Sequence, residues 1–302
     1  MRHLILLIII FTTTATLAQN KEAAGIIILG IAQDGGYPHM GCSKECCNKA
    51  WADDTNKKYV VSLALVDPIA KKWWLFEATP DIKEQLHYFR QLTNGVYNYL
   101  PDGIFLTHAH IGHYTGLMQL GREVMNTHLV PVYTLPKMKS YLETNGPWSQ
   151  LVKLENIKLV SLLADSTLEL PDGIDIKAFT VPHRDEYSET AGFNISTPNK
   201  KYLFIPDINK WDKWNRSIVD EINKVDIALV DGTFYDGNEL PGRKMSEVPH
   251  PFVIESMELL NKVKSKTWFI HLNHTNPLLW DASKQNDFLK TGYHLARQGQ
   301  QL

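Results

Sequence analysis

One segment constrains this chain more than any other. Phe105-Leu106-Thr107-His108-Ala109-His110-Ile111-Gly112-His113 closes an apolar run and then sets three histidines within six residues. Side-chain direction in an extended chain repeats every two residues, so His108 and His110 leave on the same side. His113 falls where a helix is expected to begin and the chain turns back. Three imidazoles then converge on one point, and imidazole is a preferred ligand of zinc, iron and related metals. The other reading is three surface histidines on a loop. Their spacing, directly behind a buried strand, points to a metal.

Three further apolar runs end on a ligand-type residue: Val181-Pro182-His183, Leu203-Phe204-Ile205-Pro206-Asp207 and Trp268-Phe269-Ile270-His271. Any one alone reads as a polar loop residue. Together with the first cluster they give a candidate metal constellation of His108, His110, His113, His183, Asp207 and His271. His250, between Pro249 and Pro251, lies in a loop able to reach such a pocket, or is a surface histidine. Asp34, Glu77 and Asp81 read either as carboxylates that orient ligating imidazoles or as turn and cap residues. Asp231 closes a strand and has the same two readings. Trp148, Trp211, Trp214 and Trp280 line a cleft or fill the core.

Short β-branched runs alternate with helical patterns along the rest of the chain. The patterning predicts strands over 25–31, 60–66, 72–76, 103–106, 130–134, 157–162, 174–181, 192–196, 202–205, 227–230 and 267–270. Helices are predicted over 81–92, 112–125, 137–144, 213–223 and 253–263. Strand-rich blocks, each followed by helices, suit two sheets packed face to face with helices outside. No linker rich in Pro, Gly or Ser interrupts them, so 19–302 reads as one domain.

The N-terminus has its own character. Arg2 and His3 precede an apolar run from Leu4 to Phe11, and Thr16 and Ala18 are small residues at the −3 and −1 positions of a cleavage site. This reads as a secretory signal peptide over 1–18, leaving Gln19 first and the protein secreted or periplasmic. The alternative, a membrane anchor, needs roughly 20 apolar residues, so no stable anchor is expected. Formal net charge is −2, with no Lys/Arg run to follow a phosphate backbone, and nucleic acid is not an expected partner. Cys42, Cys46 and Cys47 are the three cysteines. An odd, tight cluster reads as a metal knot before it reads as a disulfide framework, although export permits disulfides.

Thr107 to His113 resembles the His-x-His-x-Asp-His signature of metallo-β-lactamase-fold hydrolases. The resemblance implies an α/β fold, the αββα sandwich. It also implies a first metal on His108, His110 and His183, a second on His113 and His271, and Asp207 bridging both. The signature Asp is Gly112 here. That removes a charged oxygen ligand and predicts a weakened second site, holding one metal or two with water in the gap.

A second resemblance covers nearly the whole chain after the leader. Gly30 to Pro38, Ala78 to Ile82, Val230 to Phe234 and His271 to Pro277 are similar, in order and spacing, to the B protein family of pyrroloquinoline quinone biosynthesis. That likeness implies an iron-dependent oxidation, although the family usually lacks the intact histidine signature and is cytoplasmic. Gly41-Cys42 and Cys47 resemble the outer positions of the Gly-Cys-x-Cys-x-x-Cys knot of phosphonate-pathway phosphodiesterases. Lys44 stands at the middle position and Cys46 beside it. With His274 three residues beyond His271, this implies a structural zinc on Cys42, Cys46, Cys47 and His274. A disulfide from Cys42 to a neighbour is the alternative.

The leading expectation is an exported metal-dependent hydrolase of a small-molecule substrate. A metal (Zn2+, or Mn2+ or Fe2+) lowers the pKa of water to roughly 7, and the hydroxide attacks an ester or phosphodiester. Asp207 positions it, with His113 and His250 as further catalytic candidates. An iron oxygenase or oxidoreductase on the same ligands and a non-catalytic metal-binding protein are the alternatives. No oligomeric state follows from the sequence.

Overall fold

The β-branched runs form two sheets in the computed structural model, which describes residues 23–240, 242, 244 and 247–302. The expected signal peptide and its cleavage point before Gln19 lie outside the described residues. The first sheet runs in chain order: β1 (Gly25–Gly30), β2 (Ser62–Asp67), β3 (Lys72–Phe76), β4 (Gly103–Phe105), β5 (Val130–Thr134) and β6 (Ile157–Ser161). The second comprises β7 (Thr167–Leu170), β8 (Ile174–Val181), β9 (Thr190–Ser196), β10 (Lys201–Ile205), β11 (Ile227–Asp231), β12 (Thr267–Ile270) and β13 (His294–Leu295), again in sequential order. In each sheet antiparallel neighbours occupy one side and parallel neighbours the other: β3 to β6 and β10 to β13 are parallel. Parallel neighbours need crossovers, and helices supply them.

Both faces of the first sheet are covered, which is why its strands read as near-continuous apolar runs. Ile26 and Ile28 face the second sheet, while Ile27 and Leu29 face the helices, the period of two expected of a strand. Between the sheets, Phe76 and Phe105 stack at 4.8 Å and meet Phe193 edge-on at 5.3 and 5.8 Å. On the outer face, Trp73, Leu75, Ile104 and Val132 pack with Ile82, Leu86 and Phe89 of the helix Ile82–Leu92. Those three sit at i, i+4 and i+7, one helical stripe. The result is the αββα sandwich.

Register brings the chemistry-bearing strand ends to one edge. Ile205 pairs with Val230, Asp231 with Ile270, and Phe76 with Phe105. The residues following β3, β4, β8, β10 and β12 therefore emerge side by side where the two sheets meet.

The helix expected over 112–125 does not form. A helical turn at Ile111–Tyr114 gives way to a 3-10 segment, Thr115–Leu120. Here Gly116 donates its N–H to the Ala78 carbonyl, and Ala78 donates to the His113 carbonyl. A Cβ on Gly116 would lie 2.1 Å from the Thr79 carbonyl oxygen. Docking to that loop replaces helix continuation. The helix expected over 213–223 is also shorter, Ile218–Asn223, because Ser217 caps it by accepting from the Asp220 N–H. Among the described residues, no helix is long and apolar enough to cross a membrane.

Candidate metal centre

His108 and His110 follow β4, and their ring nitrogens turn toward one point. His108 Nε2 lies 2.8 Å from His110 Nδ1, and His183 Nε2 lies 3.2 Å from the same nitrogen. Asp207 Oδ2 is 3.4 Å from His108 Nε2 and 3.3 Å from His183 Nε2. Two facing imidazole nitrogens share at most one proton, so hydrogen bonding cannot satisfy this group, whereas one cation satisfies all its lone pairs. Tetrahedral bonds of about 2.0–2.2 Å set neighbouring N and O donors about 3.3–3.6 Å apart, close to most of these separations.

A second group adjoins the first. His113 Nε2 and His271 Nε2 lie 3.1 and 3.4 Å from Asp34 Oδ1, and Asp207 Oδ2 is 3.9 Å from His113 Nε2. The donor atoms of Asp34, His113, Asp207 and His271 all fall within 4.8 Å of one another. Asp207 Oδ2 thus faces both groups. All six predicted ligands come together, and the donors present fit a pair of divalent cations. The sequence reads Gly112 as the loss of a second-site carboxylate. Gly112 brings none, but Asp34, which the sequence offered only as an orienting or turn residue, stands at that group.

Oxygen atoms hold the far sides of the rings. Thr107 Oγ1 is 2.8 Å from His108 Nδ1, Thr233 Oγ1 is 2.9 Å from His271 Nδ1, and Glu186 Oε2 is 3.1 Å from His110 Nε2. Buried Glu77 lies 3.5 Å from His113 Nδ1. Such partners fix the tautomer and aim the free nitrogen at a metal. Glu77 and His271 have φ of 72° and 64°, a region non-glycine residues rarely adopt.

The charges are mutually sustaining. Burial opposes ionisation of Asp34, yet His113 and His271 hold its carboxyl well below the usual range. Burial equally opposes the Asp207 carboxylate, which His183 and His250 keep low. His250 is not a surface residue. It is buried, with Nδ1 2.9 Å from Asp231 Oδ2 and 3.1 Å from Asp207 Oδ1. Burial works against its cation, but the two carboxylates raise it to about 10. Asp231 also accepts from the N–H and hydroxyl of Thr233, which fixes it as the organiser of this corner.

Other candidates lie elsewhere. Asp81 accepts from the Val60 N–H at 2.8 Å, a loop role. Trp211 and Trp214 are buried and donate to Ser256 Oγ and the Thr180 carbonyl; Trp148 packs on Tyr114 and Tyr141; Trp280 donates to the Thr275 carbonyl. These tryptophans serve packing. Thr107, Thr233 and Glu186 went unremarked in the sequence, where hydroxyls and a loop carboxylate carry no distinguishing pattern.

The cysteines form a separate group. Cys42 and Cys46 sulfurs are 3.7 Å apart, Cys46 and Cys47 4.0 Å, and Cys47 Sγ is 3.4 Å from His274 Nδ1. All three are free, so the alternative disulfide is not formed. Zn–S bonds of about 2.3 Å place tetrahedral sulfurs about 3.8 Å apart, and the donors fit that ion. Burial, with His39 and Lys44 nearby, lowers His274 to about 4, keeping the ring neutral as a ligand must be.

An αββα sandwich with paired histidine–aspartate groups at one edge defines the metallo-β-lactamase class of protein. Residues 72–272 match the Beta-lactamase superfamily domain, and the chain belongs to that family. It is similar to Coenzyme PQQ synthesis protein B of Methylorubrum extorquens (strain PA1), 24% identical over 300 residues and covering 91% of this chain and 98% of that protein. Its fold matches Zn(2+)-bound PqqB from Methylobacterium extorquens with a TM-score of 0.75 at 22% identity, covering 92% and 99% of the two chains. A diphosphatase from the PhnP family matches with a TM-score of 0.66 at 21% identity, covering 92% and 96%.

Proposed function

We propose that this protein is a metal-dependent hydrolase of a small ester or phosphodiester, working outside the cytoplasm. The observation that carries the reading is Asp207 Oδ2, which faces both histidine groups. His108, His110 and His183 would hold one ion, His113 and His271 the other, and Asp207 would lie between them. Metal bound there supplies an acidified water and positive charge for a substrate oxygen.

The chain's own residues do the rest. Substrate enters past His110, whose side chain is 13% exposed, against 2% or less for His108, His113, His183 and His271. Exposed Glu186 and Arg184 flank that mouth. His250, held between Asp207 and Asp231, keeps Asp207 oriented and sets a cation beside the reacting edge. His113 is set with Glu77 behind its Nδ1, and its Nε2 would steady the second ion. Likeness to a PhnP-family diphosphatase favours phosphorus esters among substrates.

Whole-length likeness to a PQQ synthesis protein supports a second reading, oxidation with iron on the same donors. The test loads the full chain with zinc, manganese or iron(II) and follows bis-p-nitrophenyl phosphate. Metal-dependent release of nitrophenol, abolished in His108→Ala, is the expected result. No release with any of the three ions, or oxygen consumption with iron alone, overturns hydrolysis. Export is tested by N-terminal sequencing. A chain beginning at Gln19 outside the cytoplasm supports it, and one retained with Met1 contradicts it.

A further inference from the structure

We propose that Asp34 is the carboxylate ligand of the second metal, supplied from the loop after β1 instead of from position 112. The inference rests on the metal centre proposed above and deepens it.

Space makes the first argument. An ideal Cβ on Gly112 would lie 2.5 Å from Asp34 Cα and 2.6 Å from Asp34 Oδ1. The volume that a side chain at 112 would need is filled by Asp34, backbone included. Gly112 is therefore the residue that admits Asp34, and no carboxylate can stand at 112 while that loop runs where it does. The two positions carry one function between them.

Direction makes the second. Asp34 Oδ1 is the atom that lies 3.1 Å from His113 Nε2 and 3.4 Å from His271 Nε2. Both imidazoles offer that same nitrogen to the centre, their other nitrogens facing Glu77 and Thr233. A residue that merely oriented a ligand would meet the far nitrogen, as those two do. Asp34 meets the near one.

Attachment makes the third. Gln33 donates its N–H to the Leu272 carbonyl at 2.9 Å, and Leu272 donates to the Ile31 carbonyl at 2.8 Å. The segment bearing Asp34 is thus stitched to the residue following His271, and the two donors move as one unit. A turn closed by the Gly36 N–H on the Gln33 carbonyl, 2.7 Å, spans Asp34. The second site then has three protein donors of its own, Asp34, His113 and His271, with Asp207 shared.

The test is metal stoichiometry and affinity of the full chain with zinc, by elemental analysis and chelator competition, for wild type, Asp34→Asn, Asp34→Ala, Gly112→Ala and His113→Ala. Thermal unfolding checks that each variant folds, and Asp34→Asn is near-isosteric should Asp34→Ala fail. The proposal expects both Asp34 variants to lose one equivalent, as His113→Ala does. Alternatively they weaken it beyond the ~10–100-fold that an outer partner costs. Gly112→Ala, which removes no ligand, should do the same by displacing Asp34. Full, tight loading in Asp34→Asn beside loss in His113→Ala overturns the role of Asp34 and leaves the metal centre standing. Wild type that binds zinc only at the cysteines overturns both.

Discussion

The rings of His108, His110 and His271 are held from behind by Thr107, Glu186 and Thr233, and that support is where single residues count. Thr233 bonds both His271 and Asp231, so Thr233→Ala should weaken metal binding by about 10–100-fold, read by competition with a chromophoric chelator. Unchanged affinity would reduce Thr233 to packing. A second residue sets a pH dependence. Glu239 accepts from the hydroxyl of Thr275 and the N–H of Tyr235 and Asp236, but burial outweighs these donors and pushes its carboxyl up to about 7. Its folded pKa lies above the unfolded value of about 4.3, so the folded state keeps the proton longer. The favourable contribution is full below about 4.3 and is lost as pH rises through about 7. Melting temperature should therefore decline from pH 5 to 8, and Glu239→Gln should flatten that slope. A slope identical in the variant would assign it to other groups.

Two loops each carry donors for two of the candidate metal groups. The loop after β1 and the following helix, Glu45–Ala52, hold Asp34 at one end and Cys42, Cys46 and Cys47 at the other. The segment after β12 holds His271 and His274. His39 stacks on His274 at 4.4 Å, closing the pair into a clamp. Cys47→Ser should remove one zinc equivalent, lower the melting temperature, and weaken the Asp34–His271 group more than the His108–His183 group. Equal effects on both would mean the knot acts only on global stability. The sequence told much of this at the level of strands. Apolar runs such as 72–76, 174–181 and 267–270 are the strands β3, β8 and β12 to the residue, because a buried face writes itself into composition. Ligands at strand ends were legible for the same reason. Asp34 was not, since it meets His271 across 237 positions and nothing local announces that meeting. Gly112 read as a missing ligand because its neighbour is remote. The two-residue β13 was too short to leave a pattern, and the 112–125 helix failed on a contact with another loop.

At the scale of the whole molecule, the interface between the sheets holds the strand ends in place. Phe193, fully buried against Phe76 and Phe105, should cost about 3–5 kcal/mol when cut to alanine, measured by denaturant unfolding of the metal-loaded chain. Metal content should survive so long as the fold does. Chelation should lower the melting temperature in turn, because ions that bind only the folded state stabilise it by mass action. An unchanged melting temperature on chelation would separate the metals from the fold. The central claim is that Asp207 joins two ions while the cysteines hold a third. Crystals of the full chain grown with zinc and measured at the zinc absorption edge test it most directly. The account predicts two anomalous peaks flanking Asp207, one among His108, His110 and His183 and one among Asp34, His113 and His271, plus a third between Cys47 and His274. One peak or none beside Asp207 would contradict it.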